Sequence, residues 1–224
     1  MPRTRHVALI MNVAKPYDRG VVAGVADYVR AGGLWSLYVE DDPLTKMPHP
    51  SRWHGDGIIA NLDDPAVVKA VRGLAIPVVG VGGGAVAFGD DPDLGLPYVA
   101  TDDEAIGRMA ADHLVECGLR RFAYCGVPRT PVNPWAARRA LSFAGRLSEL
   151  GFECDVYTGR HRTPRQWESL QASLTEWLRS LPTPLGLMAC NDARARHVLE
   201  ACRRINRRVP DDVAVIGVDN DEML

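Results

Sequence analysis

Long apolar runs are missing from the 224-residue chain. Near the amino terminus the longest such run is Val7–Met11, which follows the basic residues Arg3 and Arg5. A secretory signal needs an apolar core of about 7–15 residues, and a membrane-spanning helix needs about 20. We therefore expect a cytoplasmic protein without a membrane anchor.

Recognisable catalytic and metal-binding motifs are also missing. The sequence contains no GxSxG nucleophile elbow, no HExxH pair and no Walker phosphate loop. The stretch GVGGGA, residues 80–85, matches a loose GxGxxA pattern, but the residues after it cannot begin the helix whose positive end would hold a dinucleotide phosphate. The histidines do not cluster at ligand spacing. We therefore expect neither an enzyme nor a bound metal or cofactor.

Cysteine pairing and a strong charge are absent as well. The five cysteines are odd in number and form neither a CxxC motif nor a Cys/His metal pattern. Cys125 and Cys190 lie in apolar runs, where a free thiol behaves as a small hydrophobe, as in reduced cytosolic proteins. The net charge of −2 gives no field that would attract nucleic acid or an acidic membrane.

The sequence does contain a regular alternation of short apolar runs and amphipathic segments. The apolar runs predict nine strands, at residues 7–11, 35–39, 57–62, 78–81, 98–101, 122–126, 156–158, 185–190 and 214–218. Helical spacing predicts six helices, at residues 19–30, 66–72, 103–116, 134–150, 164–181 and 192–204. This alternation predicts an α/β protein with right-handed crossovers and parallel sheets. Two sheets suit nine strands better than one, so we expect lobes at residues 1–102 and 103–224, and a surface loop at residues 82–97.

Amides, carboxylates and arginines follow several of the predicted strands, where an open parallel sheet binds its ligands. A sugar presents hydroxyls that donate and accept hydrogen bonds, together with an apolar face of C–H groups. Acids, amides and arginine can bind the hydroxyls, and an aromatic ring can cover the apolar face. The candidates are Tyr17, Asn61, Arg139, Trp167, Asn191 and Asp219. Any one of them could instead be a surface or capping residue, as Asp192 is expected to be, and only their coincidence at strand ends favours a polyol pocket.

Five segments resemble the sugar-sensing domains of LacI/GalR-type regulators: residues 55–61 (GDGIIAN), 76–82 (IPVVGVG), 98–126, 137–153 and 184–220. The resemblance covers essentially the whole chain. Residues 12–28 and 190–202 are most similar to the xylose-responsive branch, in which the sensor is joined to a C-terminal AraC-type helix-turn-helix. The resemblance implies a type I periplasmic-binding-protein-like fold, with two parallel-sheet, Rossmann-like lobes and the pocket between them. The implied ligand is D-xylose or a related pentose.

The resemblance also implies roles for individual residues. Arg139 corresponds to an arginine that bonds sugar hydroxyls, although Ser142 stands where the family motif has glycine. Some sugar-binding members carry an acid near the position of Gly82, where this chain has only glycines, so the identity of the sugar rests on overall similarity. The other positions implied to bind the ligand are Tyr17, Asp18, Arg19, Asn61, Trp167, Asn191 and Asp219.

The family's chains continue beyond the position of Asp219 with a return crossover, and the xylose-responsive branch adds its DNA-binding domain. Because neither follows Leu224, we expect an incomplete second lobe with an uncovered apolar sheet edge, which favours a homodimer. Contact with DNA is expected only through a domain outside this chain. Two other functions stay open: a solute-binding protein for a transporter, which the missing signal peptide disfavours, and a small α/β enzyme acting on a sugar or nucleotide.

Overall fold

Strands and helices alternate along the chain within two units, Met1–Thr101 and Asp102–Leu224. The computed structural model describes residues 3–39, 53–82, 95–159 and 166–222. Most of the segment expected to form a surface loop, residues 82–97, lies outside these ranges. Among the helices of the described ranges, none is long and apolar enough to cross a membrane.

The first unit is one parallel sheet with its connecting helices. Its elements within the described ranges are β1 (Arg5–Ile10), α1 (Pro16–Arg30), β2 (Trp35–Val39), β3 (Gly57–Asn61), α2 (Pro65–Val71), β4 (Val78–Val81) and β5 (Tyr98–Val99). The strand order is β2-β1-β3-β4-β5, and all neighbours are parallel. Both helices have proline in their first turn, where its missing N–H leaves no bond unmade. The side chain of Asp64 caps α2 by accepting a hydrogen bond from the N–H of Ala66 at 2.8 Å.

The second unit repeats this plan, with four strands among the residues that the structure describes. Its elements are α3 (Asp103–Glu116), β6 (Phe122–Cys125), α4 (Pro134–Glu149), β7 (Cys154–Tyr157), α5 (Trp167–Ser180), β8 (Leu185–Ala189), α6 (Asp192–Arg204) and β9 (Val213–Ile216). The order is β7-β6-β8-β9, again parallel. The central strands β6 and β8 are buried along their whole length, as expected for strands covered on both faces.

Two apolar clusters cover the faces of this second sheet. Phe143 and Leu147 of α4 pack with Leu114 of α3 on one face, and Leu174 of α5 packs with Val198 of α6 on the other. Alternate residues of each strand enter alternate clusters, because successive strand side chains point to opposite faces.

The helices α3 and α4 approach each other closely at Gly107. A Cβ atom added at Gly107 would lie 2.8 Å from the backbone nitrogen of Phe143 and 2.9 Å from the carbonyl oxygen of Arg139. Only glycine fits this contact, which fixes the position of α4 and therefore of Arg139.

The parallel sheets confirm the predicted α/β class, and α3 and α6 have the predicted bounds. The ninth strand ends at Ile216 instead of Val218. The chain leaves the extended conformation there, with φ angles of 111° at Asp219 and 53° at Asn220. The first residues predicted for α5 lie outside the described ranges.

Candidate functional site

The strand order reverses once in each sheet, between β1 and β3 in the first unit and between β6 and β8 in the second. Such reversals open a crevice beyond the carboxyl ends of the strands, where ligands of parallel sheets bind. Six of the eight sequence candidates lie on the strands at these points or in the segments that follow them, whereas Trp167 and Asp219 follow the edge strands β7 and β9. In the first unit the candidates are Tyr17, Asp18, Arg19 and Asn61, and in the second they are Arg139, Trp167, Asn191 and Asp219.

Asp18 and Asn61 form a hydrogen-bonded pair in the first unit. Nδ2 of Asn61 donates to Oδ1 of Asp18 at 2.7 Å, and the N–H of Asn12 donates to Oδ2 of Asp18 at 2.6 Å. Oδ1 of Asn61 accepts from the N–H of Asp63 at 2.8 Å. The side chain of Asp18 is fully buried, and burial raises its pKa against the lowering effect of its hydrogen bonds. The pair thus ties the loop after β1 to the loop after β3, and Asp18 has no surface open to a ligand in this arrangement.

Arg19 also binds the loop after β1. Its Nη1 donates to the carbonyls of Val13 and Ala14 at 3.1 and 3.2 Å. Tyr17 lies half-buried one residue earlier than Asp18, in the first turn of α1. These residues hold the shape of the loop on which Tyr17 is presented.

An acidic side chain lies beside Gly82, where the sequence itself has only glycines. Gly82 has a φ of 77°, and a Cβ atom built on Gly82 would lie 3.0 Å from the carboxylate of Asp63. Glycine therefore allows this buried carboxylate to lie against the backbone after β4. The sequence does not indicate that Asp63 and Gly82 are neighbours, because they follow different strands.

Arg139 is held in place by three groups of the second unit. Its Nε donates to Oδ1 of Asp103 at 2.9 Å, and its Nη1 donates to the carbonyl of Cys190 at 2.7 Å. The ring of Trp135 lies 4.9 Å from the guanidinium carbon and covers it by a cation–π contact. The arginine is only 4% exposed. Trp135 was missed, although its spacing of four residues from Arg139 places the two on one helix face.

Asp103 bonds a second arginine as well. Its Oδ2 accepts from Nε and Nη2 of Arg138 at 3.0 and 2.8 Å. The carboxylate is 3% exposed and lies in the first turn of α3, where the helix dipole favours a negative charge. One buried carboxylate therefore joins two neighbouring arginines to the start of α3.

Asp219 is half-buried at the end of the second sheet. Its pKa is raised to about 6 by burial, while the charge of Arg139 lowers it and the carboxylates of Asp192 and Asp221 raise it further. Arg139 and Asp219 are thus close enough to interact. A φ of 111° is uncommon for a residue other than glycine and is typical of strained functional positions. The residue lines a concave surface of about 600 Å³ together with Asp192, Gly217 and Asp221.

Asn191 caps α6 in place of Asp192. Its Oδ1 accepts from the N–H of Arg194 at 3.0 Å, and the helix begins at Asp192, so the expectation that Asp192 is the cap was wrong. Asp192 instead accepts from the N–H of Asp221 at 2.7 Å. Arg194, which the sequence analysis missed, is 3% exposed and donates from Nε to the carbonyl of Gly126 at 2.6 Å. It ties α6 to the loop after β6.

Trp167 contacts a histidine. Its ring packs edge-on against His197 with 5.1 Å between centroids, and Trp167 is 38% exposed. Burial and the charges of Arg194 and Arg196 lower the pKa of His197 to about 4. No contact between Trp167 and Arg139 or Asp219 is among those that the structure describes.

Two family models together match most of the chain. The periplasmic binding protein-like domain matches residues 111–224, and the XylR N-terminal domain matches residues 6–104. The "Xylose operon regulatory protein" of Escherichia coli strain K12 is 37% identical over 221 residues, which are 98% of this chain and 56% of that protein. The protein of the same name from Haemophilus influenzae is 36% identical over 97% of this chain and 56% of its own length.

Solved structures give the same picture. The "structure of xylose-binding transcription activator xylR" superposes with a TM-score of 0.85 and 36% identity, covering 98% of this chain and 55% of that one. A LacI transcriptional regulator from Rhodococcus superposes with a TM-score of 0.76 at 23% identity, covering 98% and 80% of the two chains, and shows likeness of fold alone. The chain thus spans a little over half the length of the curated relatives it matches.

Proposed function

This chain belongs to the periplasmic binding protein-like domain family, and from that premise we propose that it binds D-xylose or a related pentose as the sensor domain of a transcriptional regulator. The family match confirms the predicted periplasmic-binding-protein-like fold. The observation that carries the proposal is a buried arginine, Arg139, whose charge acts on the half-buried carboxylate of Asp219 beyond the carboxyl ends of a parallel sheet.

The chemistry of this pair suits a neutral polyol. Two nitrogens of Arg139 already donate to Asp103 and Cys190, so the arginine is fixed before the ligand arrives. Its remaining donors can bind a hydroxyl oxygen while the Asp219 carboxylate accepts from a hydroxyl hydrogen. Hydrogen bonds to charged groups contribute about 1.5–3 kcal/mol each. We propose that Tyr17, Asn61, Trp167 and Asn191 also contribute to sugar binding, and that Asp18 and Arg19 act through the loop they hold.

The relatives support the regulator role and the choice of sugar. The proteins at 36–37% identity are named for the xylose operon, and the solved structure at 36% identity is described as xylose-binding. We therefore prefer a sensor to a transporter's solute-binding protein or to an enzyme. The proposal includes a cytoplasmic location and contact with DNA through a separate domain, since a net charge of −2 gives this chain no field for DNA.

We also propose that the sensor is a homodimer. The strand β9 is one of the two edges of the second sheet as described, and Met109 and Leu141 are 66% and 75% exposed on the same unit. Exposed edges and apolar side chains favour association. Light scattering coupled to size-exclusion chromatography should give a mass near 49 kDa, about twice the chain's 24.5 kDa. A stable 24.5 kDa species at high concentration would contradict the dimer.

Calorimetry of the purified chain tests the sugar proposal. D-Xylose, L-arabinose, D-ribose and D-galactose are each titrated at pH 7.5, and D-xylose is expected to bind most tightly. The Arg139→Ala variant should lose measurable binding. Arg108→Ala is the matched control, because it removes a partly exposed arginine whose partner is Glu149. If a folded wild-type chain binds none of these sugars, or if Arg139→Ala binds as well as wild type, the proposal is wrong.

A further inference from the structure

We propose that Asp192 is a positioning residue, which holds the turn after β9 so that the carboxylate of Asp219 can meet a sugar hydroxyl. This inference rests on the proposed function. The cap of α6 is Asn191 and not Asp192, so capping does not explain an aspartate here. The carboxylate of Asp192 instead bonds a segment that lies 29 positions later in the chain.

Two hydrogen bonds join Asp192 to the two ends of the turn at residues 218–221. The N–H of Asp192 donates to the carbonyl of Val218 at 2.9 Å, and its Oδ2 accepts from the N–H of Asp221 at 2.7 Å. The first N–H groups of a helix have no acceptor within the helix, so α6 loses no internal bond by this contact. One residue therefore holds both ends of the turn that contains Asp219.

The two central residues of this turn have uncommon backbone angles. The φ angles are 111° at Asp219 and 53° at Asn220, and residues in such regions keep their conformation only where the surrounding structure fixes them. Among the contacts of the described residues, no hydrogen bond holds the Asp219 carboxylate itself, which interacts through charge. The position of this carboxylate therefore depends on the backbone of the turn.

Gly217 leaves room for the carboxylate of Asp192 beside the turn. A Cβ atom added at Gly217 would collide with Oδ1 of Asp192, whereas the Cβ of Ala195 would lie at 3.4 Å, an ordinary contact. The φ of Gly217 is not in the left-handed region, so the backbone can accept alanine. A substitution to alanine would therefore displace the carboxylate of Asp192 and little else.

The segment that leads into α6 also contacts Arg139. Nη1 of Arg139 donates to the carbonyl of Cys190 at 2.7 Å, two residues before Asp192. The N–H of Cys190 in turn donates to the carbonyl of Cys125 at the end of β6. The same short segment thus holds the arginine through Cys190 and the turn of Asp219 through Asp192. This arrangement fixes the two proposed sugar-binding groups relative to each other.

Calorimetry of substituted chains with D-xylose at pH 8 tests the role of Asp192. Asp192→Ala loses the side-chain bond to Asp221, and its affinity should fall by about tenfold or more, as expected when a hydrogen bond to a charged acceptor is misplaced. Asp192→Asn should recover most of this loss, because an amide oxygen can still accept the N–H of Asp221. Glu200→Ala is the matched control and should bind as wild type does, since it removes an acid of the same helix whose partners are exposed or partly exposed arginines.

Gly217→Ala gives an independent test that leaves Asp192 in the chain. It should also weaken D-xylose binding by about tenfold, because it displaces the same carboxylate. The double variant Asp192→Ala/Gly217→Ala has no carboxylate left to displace, so its loss should equal that of Asp192→Ala alone. Independent effects would instead multiply to about 100-fold.

Amide hydrogen exchange measures the turn without any sugar. The N–H of Asp221 should exchange faster in Asp192→Ala than in wild type, because its acceptor is gone, and should stay protected in Asp192→Asn. Unchanged exchange at Asp221 in Asp192→Ala would overturn the proposed role of Asp192.

The pH profile of Asp192→Asn adds a readout that a purely structural role would not change. The charge of Asp192 raises the pKa of Asp219, so its removal should lower that pKa and leave more of the carboxylate ionised at pH 6. The loss of D-xylose affinity between pH 8 and pH 6 should then be smaller than in wild type, and an unchanged loss would overturn the inference. The other charged or titratable groups in this region stay in the variant: Arg139 of α4, Cys190 after β8, Arg194 and Arg196 of α6, and Asp221 of the turn.

The outcomes separate the role of Asp192 from the proposed function. If wild type binds D-xylose and a folded Asp192→Ala variant binds it equally well, only the role of Asp192 is overturned. The same holds if Asp192→Asn binds as weakly as Asp192→Ala, or if the losses in the double variant multiply. Wild-type affinity in Gly217→Ala overturns the role even when Asp192→Ala does not fold. If wild type binds no sugar, the proposed function fails and the role of Asp192 fails with it.

Discussion

Sugar affinity should fall as the pH is lowered through about 6, because the proposed acceptor is the ionised carboxylate of Asp219. Burial raises the pKa of Asp219 to about 6, with Arg139 opposing the rise and Asp192 and Asp221 adding to it. An ordinary aspartate would stay ionised down to about pH 4. Asp219 therefore titrates in a pH range where binding to the folded protein can be measured.

The size of the effect follows from the pKa. Only the ionised form is assumed to accept the sugar hydroxyl. The apparent Kd is then the Kd of the ionised form multiplied by 1 + 10^(pKa − pH). Relative to pH 8, affinity should then be about twofold weaker at pH 6 and about 11-fold weaker at pH 5. The direction of the effect follows from the raised carboxyl pKa. Affinity is highest well above pH 6, where Asp219 is ionised, and decreases as the pH falls below 6.

Calorimetric titration of D-xylose from pH 5 to 8 at constant ionic strength measures this directly. Asp219→Asn is the control, and it should bind weakly with a flat profile, because its amide does not titrate. His197 does not interfere, since burial and two nearby arginines keep its pKa at about 4. A flat wild-type profile would refute the reasoning, and so would a pH step that persists in Asp219→Asn.

Two stability predictions follow from the contacts that position the site. Asn191→Ala removes the acceptor for the N–H of Arg194 and should lower the free energy of urea unfolding by about 1 kcal/mol. Asn191→Ser should keep most of the wild-type stability, because serine can also cap a helix. Equal stability of wild type and both variants would contradict the capping role. Gly107→Ala places a Cβ 2.8 Å from the nitrogen of Phe143 and should cost about 1–3 kcal/mol in thermal unfolding while weakening sugar binding. Gly145→Ala, where an added Cβ meets nothing within 4 Å, should be neutral or stabilising, and an equal loss in both glycine variants would count against the close helix contact.

The sequence was sufficient for the elements and for their parallel arrangement. Hydrophobic runs bounded by glycine, proline or polar residues mark the strands, and β2 and β4 have the predicted bounds. Strand ends also indicated where polar side chains collect, since Asn61 and Asn191 lie at the carboxyl ends of β3 and β8. This information is local, because periodicity and turn chemistry act over a few residues.

The partners of each site residue were not predictable in the same way. Asp103 bonds Arg139 across 36 positions of sequence, and such a pairing leaves no periodic signal. Arg194 is charged and lies on a helix, which normally indicates a surface, yet it is buried because its guanidinium satisfies the carbonyl of Gly126. Asp18 is a ligand candidate in the sequence, and its full burial depends on contacts with Asn12 and Asn61 that the sequence does not indicate.

A crystal structure of the chain soaked with D-xylose tests the central claim most directly. The account predicts sugar hydroxyls within about 2.7–3.2 Å of a guanidinium nitrogen of Arg139 and of a carboxylate oxygen of Asp219. The account would be contradicted by sugar density elsewhere that leaves Arg139 and Asp219 uncontacted. One such place is the surface cleft lined by Arg5, Tyr28 and Trp35 at the amino ends of β1 and β2.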